Sequence, residues 1–166
     1  MTEGQQATGN KLTVTTPAER EIHAERVLDA DRERVFNAFI DPEQAAQWYG
    51  PRDTETIIDK LEAEPGGAWR FVMRNADGTE TAFRGTFREV TPPERIVQTF
   101  EWEGMPGHVS VETAEFEDLG DGRTKITSTS IFHTNEERDG MLGSGMEAGM
   151  AETYDRLEEL LARLGG

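Results

Sequence analysis

Residues 135–164 read NEERDGMLGSGMEAGMAETYDRLEELLARL, and this stretch decides how the rest of the chain must be arranged. Met146, Met150, Thr153, Leu157, Leu160, Leu161 and Leu164 recur at three- and four-residue steps, while Glu147, Glu152, Asp155, Glu158, Glu159 and Arg163 fall on the other side. That is the period of an amphipathic helix with one apolar stripe. The spacing predicts one long helix from Asn135 to Leu164. Gly140, Gly143 and Gly145 weaken its start, each by about 1 kcal/mol relative to Ala. Such a stripe needs an apolar surface to lie on.

The preceding residues supply that surface. Between Thr54 and His133 the chain is punctuated by Pro65-Gly66-Gly67, Asp77-Gly78, Pro92-Pro93, Gly104 through Gly107 and Gly120-Asp121-Gly122. These turn signals separate six strands at about 54–63, 68–75, 80–90, 95–102, 108–117 and 123–132. Turns this short make neighbours antiparallel. Further upstream, Ile22, Ala24, Arg26 and Leu28 alternate with Glu21, His23, Glu25 and Val27, which reads as another strand. Asp29 to Asp31 then offer caps to a helix ending at Ile40. Asp41-Pro42-Glu43-Gln44 starts a second one with a capping Asp, a Pro at the first helical position and a Gln placed to close a capping box. Gly50-Pro51 ends it. The predicted order is strand, two short helices, six strands and a long helix: an α+β fold with a seven-stranded antiparallel sheet covered by the C-terminal helix.

With 166 residues, a single domain over 19–166 is expected, following a polar tail at 1–18 that has no apolar period. Lys and Arg number 17 against 33 Asp and Glu, a net charge of −16. A chain this acidic repels phosphate backbones and anionic lipid, so neither nucleic acid nor membrane is an expected partner. No stretch resembles a membrane span or a signal peptide, so the expected compartment is cytoplasmic. With no cysteine, disulfides, Cys-ligated metals and thiol nucleophiles are excluded.

Charged residues fix which way each strand faces. Arg70 and Arg74 outside put Trp69, Phe71 and Met73 inside. By the same parity Phe83, Gly85, Phe87, Gln98, Phe100, Trp102, Ile126, Ser128, Ser130 and Phe132 point inward, as do Ala114, Phe116 and, without a bulge, Glu112 and His108. Val109 and Val111 are then left outside, which calls for a bulge or a covering partner. Arg26, Asp59, Gln98, Glu112, Ser128 and Ser130 are the polar members of the inward set. Buried without partners they would cost several kcal/mol each, so they either pair or border a hydrated cavity. Gly145 and Gly149 on the covering helix either permit close packing or leave space.

No familiar catalytic motif is present. Gly143-Ser144-Gly145 with Gly149 fits neither nucleotide-binding spacing, and no strand leads into it. His23, His108 and His133 lie on three separate strands, so no metal is expected. No Ser occupies a nucleophile elbow. No cofactor is expected.

The chain nonetheless resembles the helix-grip proteins of the START and birch-pollen-allergen type, the SRPBCC superfamily, and within it the bacterial group named after the activator of Hsp-90 ATPase, also labelled polyketide-cyclase-like. The resemblance rests on Val27-Leu28-Asp29-Ala30 before Val35-Phe36, Trp48-Tyr49-Gly50-Pro51, Pro65-Gly66-Gly67 with Trp69-Arg70, and Asp77-Gly78. It continues through Phe83-Arg84-Gly85, Pro92-Pro93-Glu94-Arg95-Ile96-Val97, Gly122-Arg123-Thr124, Arg138-Asp139-Gly140-Met141, Ser144-Gly145-Met146 and Arg156-Leu157, spanning about 20–163. It implies a curved sheet wrapped around the long helix, with a cavity between them for an apolar or amphipathic molecule. Tyr49 stands where the pattern leads one to expect a second Trp. Function on this fold belongs to the pocket.

The expected role is therefore binding of a small hydrophobic or amphipathic ligand. The expected ligand-binding set is Trp48, Tyr49, Trp69, Phe71, Met73, Phe83, Phe87, Gln98, Phe100, Trp102, Glu112, Ser130, Met146, Met150 and Thr153. Two alternatives stay open. One is a cyclase- or hydrolase-type enzyme with Glu112 or Asp59 as general base and Arg26, His108 or Tyr49 polarising the substrate. The other is a co-chaperone-like module, with a protein partner or a homodimer formed through Val109 and Val111.

Overall fold

The computed structural model describes residues 11–165. In chain order the elements are β1 Thr13–Thr15, β2 Glu21–Leu28, α1 Arg32–Ile40, α2 Pro42–Trp48, β3 Glu55–Leu61, β4 Ala68–Arg74, β5 Glu80–Thr91, β6 Arg95–Trp102, β7 Val109–Gly120, β8 Arg123–Ile131, α3 Asn135–Gly143 and α4 Met146–Gly165. The sheet is curved and antiparallel throughout, with strand order β1-β2-β8-β7-β6-β5-β4-β3. This order explains the two short helices. The chain leaves β2 near one edge and must reach β3 at the other, and α1 and α2 carry it across the open face. Hairpins then walk it back until β8 pairs with β2.

Among the described residues the sheet has eight strands rather than the seven expected. The extra one is β1, inside a stretch read as tail, where Thr13, Val14 and Thr15 pair with Glu25, Ala24 and His23. Leu12 is buried and Val14 is half-buried against the core, so a short alternation there does bury apolar surface. The rest of the expected tail, residues 1–10, lies outside the described residues. The long C-terminal helix is also interrupted. Ser144 caps α3, Gly145 takes a φ of +83° that only glycine adopts freely, and α4 restarts at Met146.

Local chemistry sets the helix boundaries. Asp31 accepts from Arg34 N at 3.1 Å and Asp41 from Glu43 N at 3.0 Å. Gln44 donates to the Asp41 carboxylate at 3.1 Å instead of closing a capping box, because the Asp41 N–H is already bonded to Asn37 O at 2.9 Å. At the other end of α2, the Arg156 guanidinium donates to Gln47 O, Gly50 O and Pro51 O at 2.9, 2.8 and 3.0 Å. A cation there meets the negative end of the helix and satisfies carbonyls that lack intrahelical partners.

The core holds Leu28, Val35, Phe36, Phe116, Ile126, Leu157, Leu160 and Leu161, all nearly inaccessible. Phe36 and Phe39 of α1 both meet Phe116 of β7 edge-on, at centroid separations of 5.2 and 5.1 Å. Arg26 is 4% exposed and joins β2 to α4, donating to Asp155 at 2.7 Å, Glu158 at 2.9 Å and Ala151 O at 3.3 Å. Among the described residues, no helix is long and apolar enough to cross a membrane.

Gly85 of β5 carries a tight constraint. Its missing side chain lets the Trp69 indole reach across and donate to Thr99 O at 3.1 Å. A Cβ at Gly85 would sit 2.0 Å from that carbonyl oxygen and 2.6 Å from Trp69 Nε1. Gly85→Ala should therefore lower the unfolding free energy by at least about 2 kcal/mol, measured by urea denaturation. Full stability in the variant would show that β5 and β6 can separate there at no cost.

Candidate ligand-binding site

The N-terminal half of α4 does not rest directly on the sheet. Between them lies a cavity of about 360 Å³, walled by both helices of the crossing, strands from β2 to β8, and α3 and α4. From α4 come Met146, Gly149, Met150, Thr153 and Tyr154, one helical face at three- and four-residue steps. Gly149 leaves space there, since a Cβ at that position would meet nothing within 4 Å.

One wall is a continuous run of rings. Phe83 stacks on Phe100 at 5.1 Å, Phe100 lies 5.9 Å from Trp69, and Trp69 meets Phe71 at 5.2 Å. Phe71 meets Tyr49 at 4.9 Å, and Tyr49 meets Trp48 at 5.8 Å. Trp48 is fixed by donating its indole N–H to Ala38 O at 2.9 Å, which sets the ring between α1 and the cavity. Met73, Phe87, Met141 and Phe132 add to the apolar lining, with Ile22, Phe39 and Leu61.

The polar groups form a row across the floor. Gln98 of β6, Glu112 of β7 and Ser130 of β8 are direct cross-strand partners, which places neighbouring Cβ atoms roughly 5 Å apart. Burial pushes the Glu112 carboxyl up to about 7, and a hydrogen bond with Ser130 pulls the other way. Burial also holds the Tyr49 and Tyr154 hydroxyls above the usual tyrosine range, and the negative charge of Glu112 adds to both shifts. Arg26 opposes the shift of Tyr154. Glu112, Tyr49 and Tyr154 therefore share one electrostatic neighbourhood in the cavity.

Of the expected ligand-binding residues, Trp48, Tyr49, Trp69, Phe71, Met73, Phe83, Phe87, Gln98, Phe100, Glu112, Ser130, Met146, Met150 and Thr153 line this cavity. Trp102 does not. It sits at the end of β6, 42% exposed, with its indole folded against Gly104 of the following turn. Three of the expected catalytic groups lie elsewhere. A register shift between Ile58 and Lys60 turns Asp59 out to solvent, 3.5 Å from Arg70. His108 is an exposed turn residue 2.7 Å from Glu137. Arg26 points inward as its parity requires, but α4 carboxylates hold it outside the lining. β7 runs without a register shift from Val109 to Asp118, so no bulge turns Val109 away, and it remains 41% exposed on the outer face. Tyr154 was missed by the sequence reading, although its place one turn after Met150 puts it on the same face. Among the described residues, no group of three or more His, Asp or Glu is disposed to hold a metal ion.

The position of Glu112 has a consequence for stability. Its native value of about 7 lies above the ordinary 4.5, so the folded state binds this proton more tightly than the unfolded chain does. The resulting stabilisation is complete below about 4.5 and is lost as pH rises through 7. Relative to Glu112→Gln, which does not titrate, wild type should lose up to about 2.5 kcal/mol of stability from pH 5 to pH 8, read from urea titrations at both. A difference independent of pH would place Glu112 in ordinary hydration.

Residues 29–162 match the sequence profile of the family described as Activator of Hsp90 ATPase homolog 1-like protein. No curated protein matches the chain. Among solved structures, a protein from Arthrobacter aurescens shares 26% identity, with 91% of each chain covered and a TM-score of 0.83. A protein from Rhodobacter sphaeroides shares 21% identity over 93% of this chain and 99% of its own, with a TM-score of 0.86. The AHSA1 protein from Silicibacter pomeroyi shares 22% over 86% and 97%, with a TM-score of 0.71. The two at lower identity show the same fold, and the match over 29–162 shows the descent: the chain belongs to the Activator of Hsp90 ATPase homolog 1-like family, within the SRPBCC helix-grip superfamily.

Proposed function

We propose that this protein binds a small apolar or amphipathic molecule in the cavity beneath α4. The observation that carries the reading is the composition of that cavity: a wall of rings and methionines facing one short polar row. Small-molecule sites have this character, with an apolar lining for affinity and a few placed polar groups for orientation. The volume of about 360 Å³ falls at the lower end of the usual range of roughly 300–1,000 Å³, which suits a compact ligand.

A second reading, acid–base catalysis in the same cavity, is favoured by Glu112 alone. A carboxyl poised near 7 among apolar groups has the proton affinity of a general acid or base at neutral pH. Tyr49 is the accompanying hydroxyl from the original catalytic set, and Tyr154 is a further one. Asp59, Arg26 and His108 take no part, because none of them lines the cavity.

A thermal-shift screen of aromatic, polyketide-like and aliphatic compounds tests the binding reading. A ligand present at 100 times its Kd adds about 2.7 kcal/mol of stability, or about 5–10 °C for a chain of this size. Met150→Trp and Gly149→Leu should each fill the space, leave the fold intact and abolish that shift. If both variants instead lose more than about 3 kcal/mol of stability, the space is a packed core and the site assignment fails. Unaltered affinity in both would sink it equally.

A further inference from the structure

The cavity contains one group that ionises near neutral pH and, among the described residues lining it, no cation to neutralise it. No Lys, Arg or His is among the lining residues. The elements packed around Glu112 face it with uncharged groups: Gln98 from β6, Ser130 from β8, Ile22 from β2, Tyr49 at the end of α2 and Tyr154 from α4. Both tyrosines stay protonated at neutral pH, since each hydroxyl is held above its ordinary value. The cation behind Tyr154, Arg26, is already held by Asp155 and Glu158. Ionised Glu112 therefore has a hydrogen-bond donor in Ser130 but, among the described residues that line the cavity, no counter-charge.

Resting on the reading of this cavity as a ligand site, we infer that its ligand is a small apolar or aromatic molecule carrying a protonated amine, with the nitrogen at Glu112 and the apolar body among Trp69, Phe71, Phe83 and Phe100. An ammonium supplies the missing charge, and its N–H groups match the acceptor oxygens of Glu112, Gln98 and Ser130. An anionic head group would instead bring a second negative charge beside a desolvated carboxylate, with no cation to offset it. The ring wall acts in the same direction, because aromatic faces attract cations within about 6 Å of their centroids. So does the whole molecule, whose net charge of −16 draws cations and repels anions at a distance. These features exclude the carboxylates of free fatty acids as a class, although their chains would fit the apolar wall.

Three probes of one shape and different charge test this on the full chain: octylamine, 1-octanol and octanoate, titrated at pH 5.5 and pH 8.5. Trp48 and Trp69 line the cavity, so their fluorescence reports occupancy, and calorimetry gives Kd independently. At pH 8.5 octylamine should bind at least about ten-fold tighter than octanol, with octanoate weakest. Because the amine stays protonated throughout while Glu112 titrates near 7, octylamine should weaken by roughly ten- to thirty-fold at pH 5.5. Glu112→Gln should remove both the preference for the amine over octanol and its pH dependence. Octanol or octanoate binding as tightly as octylamine would overturn the inference while leaving the cavity a ligand site, as would an amine preference that survives Glu112→Gln. If wild type binds none of the three, the inference and the binding reading fall together. The wild-type comparison decides the matter even if the variant folds poorly.

Discussion

The C-terminal half of α4 is pinned down and its N-terminal half is not, and most of the molecule follows from that difference. Leu157, Leu160 and Leu161 are buried in the core, while Arg26 reaches up from β2 to Asp155 and Glu158 and Arg34 donates to Leu161 O. Arg156 ties the same stretch to the carbonyls that end α2. Beyond this anchorage toward Met146 the helix stands off the sheet, with small or flexible side chains at Gly149 and Met150. The cavity is thus the region the anchor does not reach.

The anchor also explains why the charge pattern inside is so uneven. Arg26 is a buried cation that acts on the Tyr154 hydroxyl, and it is spent on holding the helix. Other cations on β4 and β5 face outward: Arg70 pairs with Asp59 and Glu103, and Arg84 with Glu101. What remains within is a single carboxyl on β7, flanked by an amide and a hydroxyl at fixed cross-strand spacing. A sheet imposes that spacing whatever the residues are, so the polar row needs no loop to position it.

Strand parity accounts for how much of this was legible in advance. Arg70 and Arg74 are enough to send Trp69, Phe71 and Met73 inward, and an unbroken β7 carries the same logic from Phe116 to Glu112. Where the period breaks, the reading breaks with it. Parity alone puts Asp59 inward, because nothing in its flanking residues announces the register shift between Ile58 and Lys60. Trp102 has the right parity but stands at a strand end, where the Gly104 turn offers its ring a closer surface than the cavity does. β1 is only three residues long and owes its existence to the edge of β2, so its own composition hides it. The division of the final helix was half visible. Gly143 and Gly145 signalled weakness, but whether a helix frays or turns there is settled by what its two halves pack against.

That division gives the molecule two regions with different tolerance for change. α3 has no buried residue, and it touches the cavity through Met141 while Arg138 holds it to Ala18 O and Glu21 O. Substitutions in α3 or in the first turns of α4 alter the lining without disturbing Leu157, Leu160 or Leu161, on which folding depends. Mutational drift at the open end is thereby uncoupled from the threshold stability that selection enforces at the closed end. A lineage built this way can reshape its cavity by small steps, each of them a viable protein.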